Sequence, residues 1–124
     1  MGKYRELSES EMLIMELLWE RHEKMSASEI MQYFQDRNWK MTTVSTFLSR
    51  MIEKGVVSSE RSGRKFLYRA AVTRKELKRR QAWSFIRDNF SSVKDFVLAL
   101  DDERISEEEA RKIEDILSKI EESQ

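Results

Sequence analysis

One change of hydrophobic period, at Gly55, constrains the fold of this chain more than any other feature. Before Gly55 the apolar residues recur three and four apart, the spacing that lines one face of a helix. In residues 42–55, "TTVSTFLSRMIEKG", the stripe is Val44, Phe47, Leu48, Met51 and Ile52. After Gly55 the helical spacing stops. "VVSSERSGRKFLYRAAV" sets Val56 and Val57 on one side of "RSGR" and Phe66, Leu67 and Tyr68 on the other. A glycine turn between two short β-prone runs signals a hairpin, with strands predicted over residues 56–61 and 65–70.

Two helices precede that stretch. Ser8 stands three residues before Glu11, and Ser26 three before Glu29. At that spacing each serine can accept from the glutamate's N–H while the glutamate reaches back to the serine's N–H. The first helix is predicted over residues 8–21, with Met12, Met15, Leu18 and Trp19 inward and Ile14 and Leu17 widening the stripe. Its methionines read as core filler. The second spans residues 26–37, with Ile30, Tyr33 and Phe34 inward. Residues 38–41 connect, Thr42 opens the third helix, and Gly55 stands where a left-handed C-terminal cap belongs.

Behind the hairpin, Thr73 with Glu76 opens a helix over residues 73–90. Residues 92–100 form a short helix with Val93, Phe96, Val97 and Leu100 on one side. After an acidic break, Ser106 with Glu109 opens a last helix carrying Ile113, Leu117 and Ile120. The expected fold class is mainly α with a small β-hairpin. Residues 1–72 read as a winged helix-turn-helix and residues 73–124 as an appended helical region.

Charge divides along the same line. Formal net charge is zero, yet residues 37–80 hold 13 Lys and Arg against 3 Asp and Glu, while residues 91–124 hold 5 against 11. A basic middle suits an anionic partner, and a solvated surface is the plainer alternative. The helix at residues 42–54 favours the partner. Its outer face carries Thr42, Thr43, Ser45, Thr46 and Ser49, then Arg50 and Lys54. Short hydroxyls are poor helix formers, but they let a helix approach the bases of a major groove about 12 Å wide. Thr42 and Thr43 sit at the positive end of the helix dipole, where a phosphate is favoured, and Lys40 is a further candidate DNA contact. On the hairpin, Arg61, Arg64 and Lys65 surround Gly63 and can lie on phosphates or reach a minor groove. Arg74, Lys75, Lys78, Arg79 and Arg80 form a further basic group, for DNA, for solvent or for the acidic tail.

Other chemistry finds little footing. There is no cysteine, which removes disulfides and thiolate sites. The one histidine, His22, lies beside Arg21 and Glu23 without a partner that suggests a triad or a metal site. No phosphate-binding glycine loop appears. An enzyme, a metal and a cofactor are therefore not expected. No run reaches the ~18 apolar residues of a membrane span, and "MGKYRELSES" has no signal-peptide pattern, so the expected compartment is the cytoplasm without membrane insertion.

With these residues in view, the chain resembles the penicillinase and methicillin-resistance repressors of bacteria, over nearly its whole length. "LSESEMLIMELLW" is similar to the family's first helix, with its tryptophan at Trp19. "TVSTFLSRMIEKGVV" carries the pattern Thr-aliphatic-x-Thr-x-Leu-x-Arg-aliphatic-x-x-Lys-Gly at Thr43, Val44, Thr46, Leu48, Arg50, Met51, Lys54 and Gly55. "SGRKFLYRA" resembles the wing, with Gly63, Arg64, Phe66 and Tyr68 in matching places, and "DFVLALDDERISEEEARKIEDIL" resembles the dimerisation region. The resemblance implies a homodimer that binds a dyad operator and represses the genes beside it. It is also what a thin segment holding Phe85, Phe90, Phe96, Val97, Leu100, Ile113 and Leu117 invites, unless these pack back on the winged helix. Two family features do not carry over. The Asn-Phe bond cleaved when a membrane sensor pathway releases such repressors is matched here by Ala99 and Leu100, and the cysteine pairs of copper-responsive relatives are missing. A winged helix that serves as a protein-interaction adaptor, without reading DNA, is the rival reading.

Overall fold

The computed structural model describes residues 6–100 and 106–122. They fall into two compact units, residues 6–73 and residues 74 onward. The first runs α1 (Glu9–Arg21), β1 (Met25–Ser26), α2 (Ala27–Tyr33), a 3-10 turn (Gln35–Arg37), α3 (Met41–Glu53), β2 (Val57–Ser62) and β3 (Lys65–Ala70). The second holds α4 (Arg74–Asn89), α5 (Val93–Leu100) and α6 (Glu107–Glu122). Mainly helical with a small antiparallel sheet, this is the winged-helix arrangement that the change of period announces.

Local chemistry sets the ends of the elements. Ser8 Oγ accepts from Glu11 N–H at 3.1 Å while Ser8 N–H donates to Glu11 Oε1 at 2.8 Å. Ser26 and Glu29 repeat the exchange at 3.2 and 3.0 Å, so both expected capping boxes are formed. His22 closes α1 in the left-handed region (φ 56°), its N–H donating to Leu18 O. The lone histidine is thus an exposed helix C-cap. Gly55 follows α3 at φ +76°, as expected of a left-handed cap. Ser106 Oγ accepts from Glu109 N–H at 3.1 Å, the predicted cap of α6. Leu117 and Ile120 lie outside the residues whose side chains are described.

Several boundaries differ from the sequence reading, and one strand is added. The second helix ends at Tyr33, gives a 3-10 turn, and stops at Asn38 in the left-handed region (φ 55°), a conformation asparagine tolerates. The third helix begins at Met41, one residue before Thr42. Strand β2 is shifted one residue, to Val57–Ser62. A third strand, β1, pairs antiparallel with β3 (Met25↔Tyr68, Ser26↔Leu67), giving the order β1-β3-β2. Two residues are too few to show alternation, and Ser26 already reads as a cap.

The core of the first unit comes chiefly from its three α-helices and the residues that open β2. Ile14, Met15, Leu17 and Leu18 of α1, Ile30 of α2, Val44, Leu48 and Met51 of α3, and Val56 and Val57 are all buried. Each such side chain contributes roughly 1.5–3 kcal/mol of burial. Trp19 Nε1 donates to Val72 O at 2.9 Å, tying α1 to the residues after β3. Ile52, expected in the α3 stripe, lies at its exposed margin. In the second unit α6 packs on α4, and Leu77, Ala82, Phe96 and Ile113 are buried.

Ser26 supports both β1 and α2. Its replacement by alanine is expected to lower the unfolding free energy by about 1 kcal/mol. A urea midpoint that does not move would show that the cap contributes nothing.

Candidate nucleic-acid interface

Helix α3 has one face locked and one free. Val44, Leu48 and Met51, at i, i+4 and i+7, are buried. Opposite them Thr42, Ser45, Thr46, Ser49 and Arg50 are exposed, and Thr43 is half-buried at the edge. Thr46 Oγ1 donates to Thr42 O at 2.9 Å. Its proton is thereby committed, leaving its methyl and its acceptor lone pairs for a partner. Lys40 occupies the N-cap position without a side-chain cap hydrogen bond. Alanine-like silence at a cap leaves the first N–H groups of the helix unsatisfied by side chains.

An aromatic chain fixes how α3 begins. Arg21 lies 5.7 Å from the Tyr33 ring centroid. Tyr33 meets Phe34 edge-on at 4.9 Å, Phe34 meets Trp39 at 4.8 Å, and Trp39 meets Phe47 at 5.1 Å. Trp39 thus links the end of α2 to the second turn of α3, with Lys40 next to it. Such ring pairs each contribute about 0.5–1.5 kcal/mol beyond area burial.

The far end of α3 is held by charge. Lys54 Nζ donates to Glu11 Oε1 at 2.7 Å and to Glu6 O at 2.8 Å. The Lys54 side chain is 16% exposed and that of Glu11 2%. This corrects one expectation: Lys54, placed among the DNA-facing cations by its position on the helix, is an internal tie between the end of α3 and the start of α1. Glu11 was legible only as a cap residue, since its second partner lies 43 residues away. Burial raises the Glu11 pKa, but hydrogen bonds from Lys54 and Ser8 outweigh it and hold the carboxyl below its ordinary value of 4.5. Its Oε2 is buried without a hydrogen-bond partner among the described residues.

The hairpin projects. Residues 60–66 are exposed without interruption, and Gly63 (φ +64°) and Arg64 form the two-residue turn between Ser62 and its partner Lys65. Positive φ at the first turn position alone is the type II′ pattern, which suits strand twist. Arg61 Nε donates to Gly63 O at 3.1 Å, which holds its guanidinium at the tip. Lys24 pairs with Glu60, and Arg69 Nε donates to Ser58 Oγ at 3.1 Å. The side chains of Lys40, Arg50 and Arg64, in contrast, form no hydrogen bond or ion pair among the described residues. Lys65 is exposed and acts on Glu29 only through the field between them.

The apolar residues of the second unit divide in two. Phe96 and Ile113 are buried within the single chain. Phe85 and Phe90 are half-buried in a ring chain, 6.3 Å apart, with Phe96 5.3 Å from Phe90. The exposed members are Val97 and Leu100, together with Trp83, Val93 and Leu98. Val93, Val97 and Leu100 stand at i, i+4 and i+7 on α5. Ala99 and Leu100 lie in the last turn of that helix. Among the described residues no helix is long and apolar enough to cross a membrane.

Comparison with known proteins gives a consistent set of relatives. The family described as penicillinase repressor matches residues 7–119. The penicillinase repressor of Bacillus licheniformis is 23% identical over 120 residues, 94% of this chain and 93% of that protein. The methicillin resistance regulatory protein MecI of Mammaliicoccus sciuri is 28% identical over 124 residues, covering 95% and 98%. MecI of Staphylococcus aureus (strain N315) is 27% identical with the same coverage.

The Glu11–Lys54 tie has a pH signature. A carboxyl held below its ordinary pKa stabilises the fold above about pH 4.5 and loses that contribution as pH falls through the lowered value. Lys54→Met strands a buried carboxylate and is expected to cost about 3 kcal/mol near neutral pH. Glu11→Gln should flatten the acid limb of the stability–pH curve. An acid limb unchanged in Glu11→Gln would remove the tie from the account.

Proposed function

Because this chain belongs to the penicillinase repressor family, we propose that it represses transcription as a homodimer bound to a dyad operator in double-stranded DNA. Helix α3 enters the major groove with Thr42, Thr43, Ser45, Thr46 and Ser49 toward the bases. Thr43 and Thr46 offer methyl groups to thymine and oxygens to base edges. Arg50 reaches the flanking phosphates, Lys40 and the uncapped start of α3 take another, and Arg61, Arg64 and Lys65 lie on the backbone beside the groove.

The observation that carries this reading is the division of the cations. Lys24 and Lys54 are paired with carboxylates, whereas Lys40, Arg50 and Arg64 are exposed and unpaired, at the start of α3, along its outer face and at the hairpin tip. A cation set left without carboxylates, around a face of short hydroxyls, complements a phosphate backbone. An adaptor surface has no need of that pattern.

Two-fold pairing is supported by the exposed face of α5 and by Trp83, Val93, Val97, Leu98 and Leu100, large apolar groups that a second copy would cover. Two winged helices would then read half-sites about one helical turn apart, ~34–36 Å.

Selection of random or genomic duplexes on the purified protein at about 0.15 M salt is expected to enrich a two-fold symmetric motif. Enrichment of single half-sites would argue against the dimer, and no enrichment by a folded protein would favour the adaptor. On the selected operator, Arg64→Ala should weaken binding, lower the salt slope by about 1 and leave the melting temperature nearly unchanged. A full slope in that variant would take Arg64 off the phosphates.

A further inference from the structure

Phe66 has no evident use in the fold. It is 51% exposed, in a run of exposed residues that ends at its own position. Its face of the sheet is also that of Val57, Ser59, Tyr68 and Ala70, by the pairings Val57↔Ala70 and Ser59↔Tyr68. Toward the body of the domain this face is covered: Val57 is buried and Tyr68 half-buried. Toward the tip the strands outrun their cover, and the face ends in Phe66 directly opposite Arg61. No other ring stacks on Phe66 among the described residues. An exposed aromatic at a hairpin tip gains little from folding and adds an apolar hazard at a sheet edge.

Its surroundings say what could cover it. Arg61 shares its face, Arg64 sits in the adjoining turn, and Lys65 precedes it in sequence. Arg61 is tied back to Gly63 O, so its guanidinium is held at the tip, across the strand pair from Phe66. A ring between cations is a poor seat for an apolar protein surface, which would desolvate the charges without pairing them. It is a good seat for the minor groove of DNA. There phosphates flank a narrow apolar wall of sugars, and an apolar wedge can part an easily unstacked base step.

We propose that Phe66 enters the minor groove beside each half-site and makes the protein favour a flexible pyrimidine–purine step there. This rests on the DNA-binding reading and adds a specificity determinant outside α3. It reads deformability rather than hydrogen-bonding groups, so it discriminates at a position where no base edge is contacted.

The test uses the selected operator with its flanks varied, TA or CA steps against stiff A-tract or G·C flanks, and full-length protein as wild type, Phe66→Ser and Phe66→Leu. Wild type is expected to prefer the flexible flank on the order of tenfold. Phe66→Ser should lose that preference while keeping its ranking of the α3-contacted bases and its salt slope. Phe66→Leu, which retains an apolar wedge, should keep part of it. A 2-aminopurine at the flanking step should brighten with wild type, as it does when unstacked, and stay dim with Phe66→Ser. Equal loss on every flank, or no loss, overturns the wedge while leaving the DNA reading intact. Wild-type protein that binds no duplex overturns both.

Discussion

A single carboxylate oxygen, Oε1 of Glu11, joins two ends that the winged helix has to keep together. It accepts from Ser8 N–H, where α1 begins, and from the Lys54 ammonium, where α3 ends. The hairpin starts at Val57, directly after Gly55 and Val56. The exit of α3 and the entry of the hairpin are therefore tied by one charge pair in which the carboxylate is buried. Removing one partner of such a pair leaves an uncompensated charge, which is why the contact is more than a surface bridge. At the other end of α3 the constraint is apolar, through the stacked rings of Phe34, Trp39 and Phe47.

Between those two anchors the buried stripe of Val44, Leu48 and Met51 leaves α3 only one face to present. The hydroxyl residues on that face are weak helix formers, so the helix depends on its packing rather than on intrinsic propensity. This separates stability from the proposed recognition: the inner residues hold the helix, and the outer ones are free of that task. The same separation runs through the charges. Lys54 and Lys24 are paired with Glu11 and Glu60, whereas the side chains of Lys40, Arg50 and Arg64 have no carboxylate partner among the described residues, and in the proposed function those meet phosphates.

The second unit follows a similar rule with apolar groups. Phe96 and Ile113 are closed off within one chain, whereas Val93, Val97 and Leu100 line an uncovered face of α5. Dimerisation through such a face would link two DNA-binding units without drawing on the core of either.

Much of this was legible before any coordinates. Capping boxes, the left-handed Gly55, the hairpin turn and the helical stripes all follow from interactions within about four residues, and such interactions leave a local pattern in the sequence. Membership of the repressor family was legible for the same reason, since its motifs sit on those local elements. Three things were not. The short strand β1 was hidden because two residues carry no period. Lys54 was read as a surface cation because its helix position faces outward, while its partner is distant in the chain. Phe96 and Ile113 could not be told from Val97 and Leu100, because a period marks an apolar side but not what covers it. Sequence determined the elements, their caps and the chemistry of the outer face. Tertiary structure decided which charges and apolar groups are used up internally, because that depends on contacts between residues whose separation in sequence says nothing of their distance in space.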